Sequence, residues 1–148
     1  MMIELLMAYL ASLSFAYIFN LNRRTALLAA IGGSIGWLFY SQGLAFSHDM
    51  NIAYFLGAVA LSYYAEIMAR KTRTPVTSYI TPALIPLVPG SGLYRTMLQS
   101  LEGNYNEALR EGITTMMASG ALAIGILMVF TLIKIYYLVK RNWTNETN

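Results

Sequence analysis

Apolar residues occur in long runs along the chain, with polar and basic residues gathered between the runs rather than alternating with them. About 20 consecutive apolar residues form a helix long enough to cross the hydrocarbon core of a bilayer. Residues 2–20 make the first such run, with Glu4 as its one charge and Arg23-Arg24 just beyond it. Residues 25–46 make the second and carry no charge. Residues 52–69 make the third, with Glu66 near its end and Arg70-Lys71-Thr72-Arg73 after it. Residues 112–139 make the last, uncharged from Ile113 to Ile133 and closed by Lys140-Arg141. A secretory signal starts basic and ends in a small-residue cleavage site. The first run has the reverse layout and reads as an uncleaved helix.

Residues 75–100 are also apolar but interrupted. All four prolines of the protein, Pro75, Pro82, Pro86 and Pro89, fall here, followed by Gly90 and Gly92. A proline inside a helix removes a hydrogen bond and clashes with the preceding turn, at about 3 kcal/mol each. The pattern predicts a discontinuous fourth span, with two half-helices around an unwound turn at Pro89-Gly90-Ser91-Gly92 and helix resuming at Leu93. The expected architecture is therefore a single all-α integral membrane domain of five transmembrane helices.

Charge fixes the expected orientation. With five spans, one side holds Arg23, Arg24, Arg70, Lys71, Arg73, Lys140 and Arg141, and the other holds Glu4, Asp49, Glu102, Glu107 and Glu111 against Arg110. Basic loops stay in the cytoplasm, so the N-terminus is expected outside a cell membrane and the C-terminus inside. Segment 102–111 reads as a short external polar loop. Were segment four to re-enter instead of crossing, Lys140-Arg141 would lie outside, against this rule.

Composition agrees. Hydrophobic residues make up 57% and charged residues 11% of 148, where soluble domains carry about 25% charged residues. This excludes a soluble globular domain, a disordered chain and a nucleic-acid binder with a broad basic face. The net charge of +3 is accounted for by topology. With no cysteine and one histidine, His48, thiolate, haem and multi-histidine metal sites are excluded, and no cofactor or metal is expected. HExxH, GxSxG and P-loop patterns are missing, so the protein reads as a non-enzyme. The two acceptor-like triplets at Asn142 and Asn145 are read as chance matches on a cytoplasmic tail.

The broken segment carries the candidate chemistry. Unwound backbone at membrane depth is tolerated where it is buried in protein or lines a watery cavity, and transporters use half-helix N-termini near the midplane to receive carboxylates. Helix resuming after the break places Ser91 as a cap and Arg95 one turn in, and free amides with a guanidinium form a carboxylate receptor. A kink packed against its neighbours is the structural alternative. Thr77, Ser78, Tyr79 and Thr81 either line the same cavity or bond carbonyls freed by the prolines. Glu66 is an intramembrane acid and a candidate coupling residue. Arg70 lies at i+4 from it, a good ion-pair spacing, and the structural pair is the preferred reading. Lys134 is expected to snorkel to the interface beside Tyr136 and Tyr137. His48 and Asp49 read as a solvated loop. Gly32 and Gly36, and the small residues from Ala118 to Gly125, read as close-packing surfaces.

The run from Pro82 to Tyr94 resembles the proline-glycine signature of the threonine/serine exporter (ThrE) family. The whole chain resembles its small-subunit YjjB-like type, which corresponds to the C-terminal membrane half of fused exporters. The resemblance implies export of small carboxylate metabolites or amino acids, of the threonine/serine or succinate class. It also implies a second ThrE-type membrane subunit equivalent to the N-terminal half. Carried over by the signature are Pro82, Pro86, Pro89, Gly90, Gly92 and Tyr94. Ser91 and Arg95 join the candidate substrate-binding or gating residues on the physical argument above. If both halves share a fold, an odd number of spans inverts the second half relative to the first, the geometry of alternating access. Two other readings stay open: a scaffold subunit that transports nothing itself, and a homo-oligomeric carrier or channel.

Overall fold

A computed structural model describes residues 1–146, with side chains described through Lys140. The side chains of Arg141 and of the acceptor-like triplets at Asn142 and Asn145 lie outside the described residues. The described residues form helices without strands. They are α1 (Met2–Ile18), α2 (Arg23–Ser47), α3 (Met50–Thr72), α4 (Thr77–Leu84), a 3-10 turn (Ile85–Leu87), α5 (Gly90–Leu101) and α6 (Tyr105–Glu146). Three of them, α2, α3 and α6, are long and apolar enough to cross a membrane, and α1 is a shorter apolar helix.

The connections between helices are tight because their ends are capped. Asn22 Oδ1 accepts from the Thr25 N–H at 2.9 Å at the start of α2. Asp49 Oδ1 accepts from Asn51 and Ile52 N–H at 2.7 and 3.3 Å at the start of α3. These bonds satisfy donors that a helix start leaves free. His48 takes the left-handed conformation (φ 54) that ends α2, so this residue and Asp49 act as a cap pair, as does Arg73 (φ 54) at the end of α3.

Small residues bring the helices together. A Cβ on Gly33 would lie 2.0 Å from Ser12 Oγ of α1, one on Gly57 would lie 2.9 Å from the Gly36 carbonyl, and one on Gly125 would lie 2.8 Å from Ala58 Cβ. The small-residue surfaces read from the sequence thus close contacts within the chain. Tyr54, Ala58, Leu61, Ala83, Leu87, Ala118 and Leu122 form the main core cluster. Large apolar side chains such as Met2, Ile18, Leu127 and Leu132 point outward, as a lipid-facing surface requires.

The contacts fix direction. Gly43 packs on Ala53 and Gly32 on Tyr64, so α2 runs antiparallel to α3. Tyr54 clusters with Ala118, Ala58 meets Gly125, and Arg70 stacks on Tyr137, so α3 and α6 run parallel. Between them α4, the 3-10 turn and the strand-like Val88 carry the chain back along the bundle, from Tyr79 beside Thr72 to Leu87 between Gly36 and Gly57. The proline spacing explains the change of helix type. Pro86 cannot donate to the Pro82 carbonyl, and the Ile85 N–H takes that acceptor instead. Val88 N–H likewise donates to Ile85 O at 3.3 Å, which is the i+3 pattern of a 3-10 turn.

Two expectations need correction. The irregular backbone lies at residues 85–89, one turn upstream of the predicted Pro89-Gly90-Ser91-Gly92 turn, and helix resumes at Gly90 rather than Leu93. The prolines, lacking N–H groups, break the ladder; the glycines after them are free to rejoin it. The predicted 102–111 loop is confined to residues 102–104, because Tyr105 to Glu111 form the first turns of α6 with Glu107 favourably placed at its N-terminus. Thr96 packs on Gly112 and Gly92 on Thr115. Among the described residues, helix α5 packs against α6 and no other helix, so α5 and the start of α6 form an antiparallel hairpin at the Met50 end of the bundle.

Candidate functional site

The N-terminus of α5 opens onto a cavity of about 180 Å³ where α2, α3, α5 and α6 meet. Pro89, Ser91, Gly92 and Arg95 form its α5 wall, Tyr40, Met50 and Tyr54 its bundle wall, and Glu111, Thr114, Thr115 and Ala118 its α6 wall. At about 30 Å³ of liquid volume per water, it has room for a small metabolite.

Each wall is built by local rules. Pro89 occupies the N-cap of α5 and has no side chain to donate or accept. Gly90 N–H turns back to the Val88 carbonyl at 2.7 Å, and Leu93 N–H reaches Pro89 O at 3.3 Å. The N–H groups of Ser91 and Gly92 have no acceptor among the described residues. They remain donors at the positive end of the helix dipole. Gly92 is the residue at which α5 touches α6: a Cβ there would lie 2.2 Å from Thr115 Oγ1. Thr115 donates to the Glu111 carbonyl at 2.7 Å, and Thr114 to the Arg110 carbonyl at 2.9 Å. On the far wall the Tyr40 and Tyr54 rings pack at 4.7 Å between centroids.

Two opposite charges face each other at the rim. Arg95 Nη1 lies 4.0 Å from Glu111 Oε1, with the side chains 60% and 35% exposed. A pair this long and open contributes little to folding, and both groups keep most of their hydrogen-bonding capacity. The cavity therefore offers amide and guanidinium donors on one wall and a carboxylate on the other.

Of the residues singled out in the sequence, Pro89, Ser91, Gly92 and Arg95 converge here. Gly90 begins α5, with nothing within 4 Å of the place a Cβ would take. Ser91 is inside the helix, so the expected Ser91 cap is replaced by Pro89. Tyr94 points outward, 66% exposed. Pro86 lines a separate groove with Glu4 and Trp37, and Trp37 Nε1 donates to Glu4 Oε2 at 3.3 Å. Pro82 is buried in α4 and borders a third pocket with Thr77, Ser78 and Thr81. These polar residues thus sit apart from Arg95, and Tyr79 is held instead by Thr72, hydroxyl to hydroxyl at 2.7 Å. The cavity lies toward the end of the bundle marked by Met50, away from Arg70 and Arg73 at the far end of α3.

Glu66 is ion-paired with Arg70, whose guanidinium stacks on the Tyr137 ring at 3.9 Å to the centroid. Among the described residues no group of three or more His, Cys, Asp or Glu side chains is arranged to hold a metal. Sequence reasoning passed over Glu111, Thr115, Tyr40 and Tyr54. Their one visible signal was chemical type, since partnership with α5 depends on a hairpin that the 102–111 segment hid by reading as loop.

A family model described as Threonine/Serine exporter, ThrE, matches residues 4–132, from α1 through most of α6 and across the whole cavity. No solved structure matches the chain significantly. Apolar helices of membrane-crossing length and this match together make the chain an all-helical membrane protein of the threonine/serine exporter (ThrE) family.

Proposed function

We propose that the chain is one subunit of a secondary-active exporter, and that the cavity between α5 and α6 binds a small zwitterionic amino acid. The observation that carries this reading is the Arg95 and Glu111 pair, 4.0 Å apart on facing walls. The substrate carboxylate is received by Arg95 with the free Ser91 and Gly92 amides. The substrate ammonium is received by Glu111, and a side-chain hydroxyl has Thr115 and Ser91 within the same cavity. A dicarboxylate such as succinate meets Glu111 as a like charge, which favours the threonine/serine class. The irregular backbone at 85–89 is the element whose rearrangement gates the cavity.

The chain crosses the membrane five times in this reading, with α4, the 3-10 turn and the residues up to Pro89 as the fourth, discontinuous crossing. The parallel course of α3 and α6 supports that count, because the segment between them must return the chain across the bundle. The N-terminus is outside and the C-terminus cytoplasmic, in accord with the basic end formed by Arg23, Arg24, Arg70, Lys71 and Arg73. A second ThrE-type subunit covers the hairpin. Leu93, Met97 and Leu101 form an exposed apolar strip on α5.

Efflux of labelled threonine, serine and succinate from proteoliposomes tests the reading, with this subunit alone and with a co-expressed second subunit. Threonine or serine efflux that needs both subunits and falls at least tenfold in the Arg95→Ala variant is expected. Unchanged transport in folded Arg95→Ala and Glu111→Gln variants would place the substrate path elsewhere.

A further inference from the structure

The opposite end of the bundle holds a groove that the transport reading does not use. It measures about 400 Å³, lies between α3 and α6, and is lined by Glu66, Arg70, Phe130, Lys134, Tyr137 and Leu138. Arg70 is committed to Glu66 and to the Tyr137 ring. Lys134 has neither hydrogen bond nor ion pair among the described residues. It stands in α6 about one and a half turns before Lys140, at the level where Arg70, Lys71 and Arg73 gather at the end of α3. An ammonium on a lipid-facing helix without a protein counter-charge is costly unless it reaches the interface and meets an anion there.

The geometry points to a binding site for the phosphate of an anionic phospholipid. Lys134 supplies the charge to the phosphate. Arg70 holds the groove open through Glu66 and Tyr137 and adds a second cation, so the groove carries a net positive charge. Phe130, one turn deeper in α6 than Lys134, gives the acyl chain an apolar wall continuous with the bilayer. Basic pockets between transmembrane helices on the cytoplasmic side have the composition suited to such headgroups. The same phosphate chemistry is present in free inorganic phosphate, which lacks the chain that Phe130 accommodates.

Thermal melting of delipidated full-length protein in detergent tests the site, with phosphatidylglycerol, phosphatidylcholine or inorganic phosphate added. Phosphatidylglycerol should raise the melting temperature by several degrees more than phosphatidylcholine, and inorganic phosphate should leave it unchanged. The Lys134→Gln variant should lose most of that difference, and Lys134→Arg should keep it, which guards against a folding defect. Lys71→Gln, which removes a nearby charge outside the groove, should also keep it. Full retention of the difference by Lys134→Gln, equal loss in Lys71→Gln, or an equal effect of inorganic phosphate would overturn the assignment.

Discussion

Gly92 and Thr115 touch so closely that a Cβ on Gly92 would fall 2.2 Å from Thr115 Oγ1 and 3.2 Å from Thr115 Cβ. This contact sets how near α5 approaches α6, and with it the span between Arg95 and Glu111. The Gly92→Ala variant should open the hairpin and lose about 1–3 kcal/mol of stability. Gly90→Ala, with nothing within 4 Å, should be close to neutral. Adding Thr115→Ala to Gly92→Ala should recover most of the loss, because the nearest atom is then removed. Melting temperatures in detergent for the four proteins would check the series.

The charges at the rim are expected to matter for transport and not for folding. Arg95→Ala and Glu111→Gln should each change stability by about 1 kcal/mol or less, as for other exposed pairs, while lowering amino-acid efflux at least tenfold. Succinate gives the sharper test: Glu111→Gln should improve succinate efflux relative to threonine, because the like charge is gone. A parallel loss for both substrates would show that Glu111 does not face the substrate.

Gly57 is a case that no neighbouring side chain can relieve. Its Cβ would meet the Gly36 carbonyl oxygen at 2.9 Å, so Gly57→Ala must separate the backbones of α2 and α3. A loss of about 1–3 kcal/mol is expected, without rescue by Leu87→Ala. That second substitution is itself costly, at about 2–5 kcal/mol, since Leu87 is fully buried. Comparing the double with the two singles in a melting assay would detect any rescue.

Glu66 and Arg70 are expected to act as a structural pair. Arg70 is 44% and Glu66 15% exposed, so part of the attraction survives solvent screening. A double-mutant cycle with Glu66→Gln and Arg70→Gln should give a coupling of about 0.5 kcal/mol or more. Efflux by Glu66→Gln in proteoliposomes should keep its dependence on the imposed ion gradient. Loss of that dependence with stability intact would restore Glu66 as the coupling residue.

The proposed partner face can be probed directly, because the chain has no cysteine. A single cysteine at Met97, exposed on the α5 strip, should crosslink to the co-expressed second subunit. One at Leu127, on the lipid-facing side of α6, should not. Crosslinking of Met97→Cys to a second copy of this chain instead would favour the homo-oligomeric carrier.

The helical membrane character and most helix boundaries are legible in the order of residues alone. Hydrocarbon demands internally bonded backbone, so runs of apolar residues leave few alternatives. The proline interruption was legible for the same reason, since it depends on groups a few residues apart, whereas Asp49, read as part of a solvated loop, proved to cap α3. Tertiary structure decided the rest. Whether Tyr105 to Glu111 was loop or helix depended on their pairing with α5, and only that pairing set Glu111 across from Arg95. Leu87 packs against Gly36 and Gly57, a contact between segments some thirty to fifty residues apart in the chain. The separation of Pro82 and Pro86 from Pro89 followed from the return of α4 along three other helices. Contacts between distant segments follow from close packing of particular side chains, and local composition does not encode them.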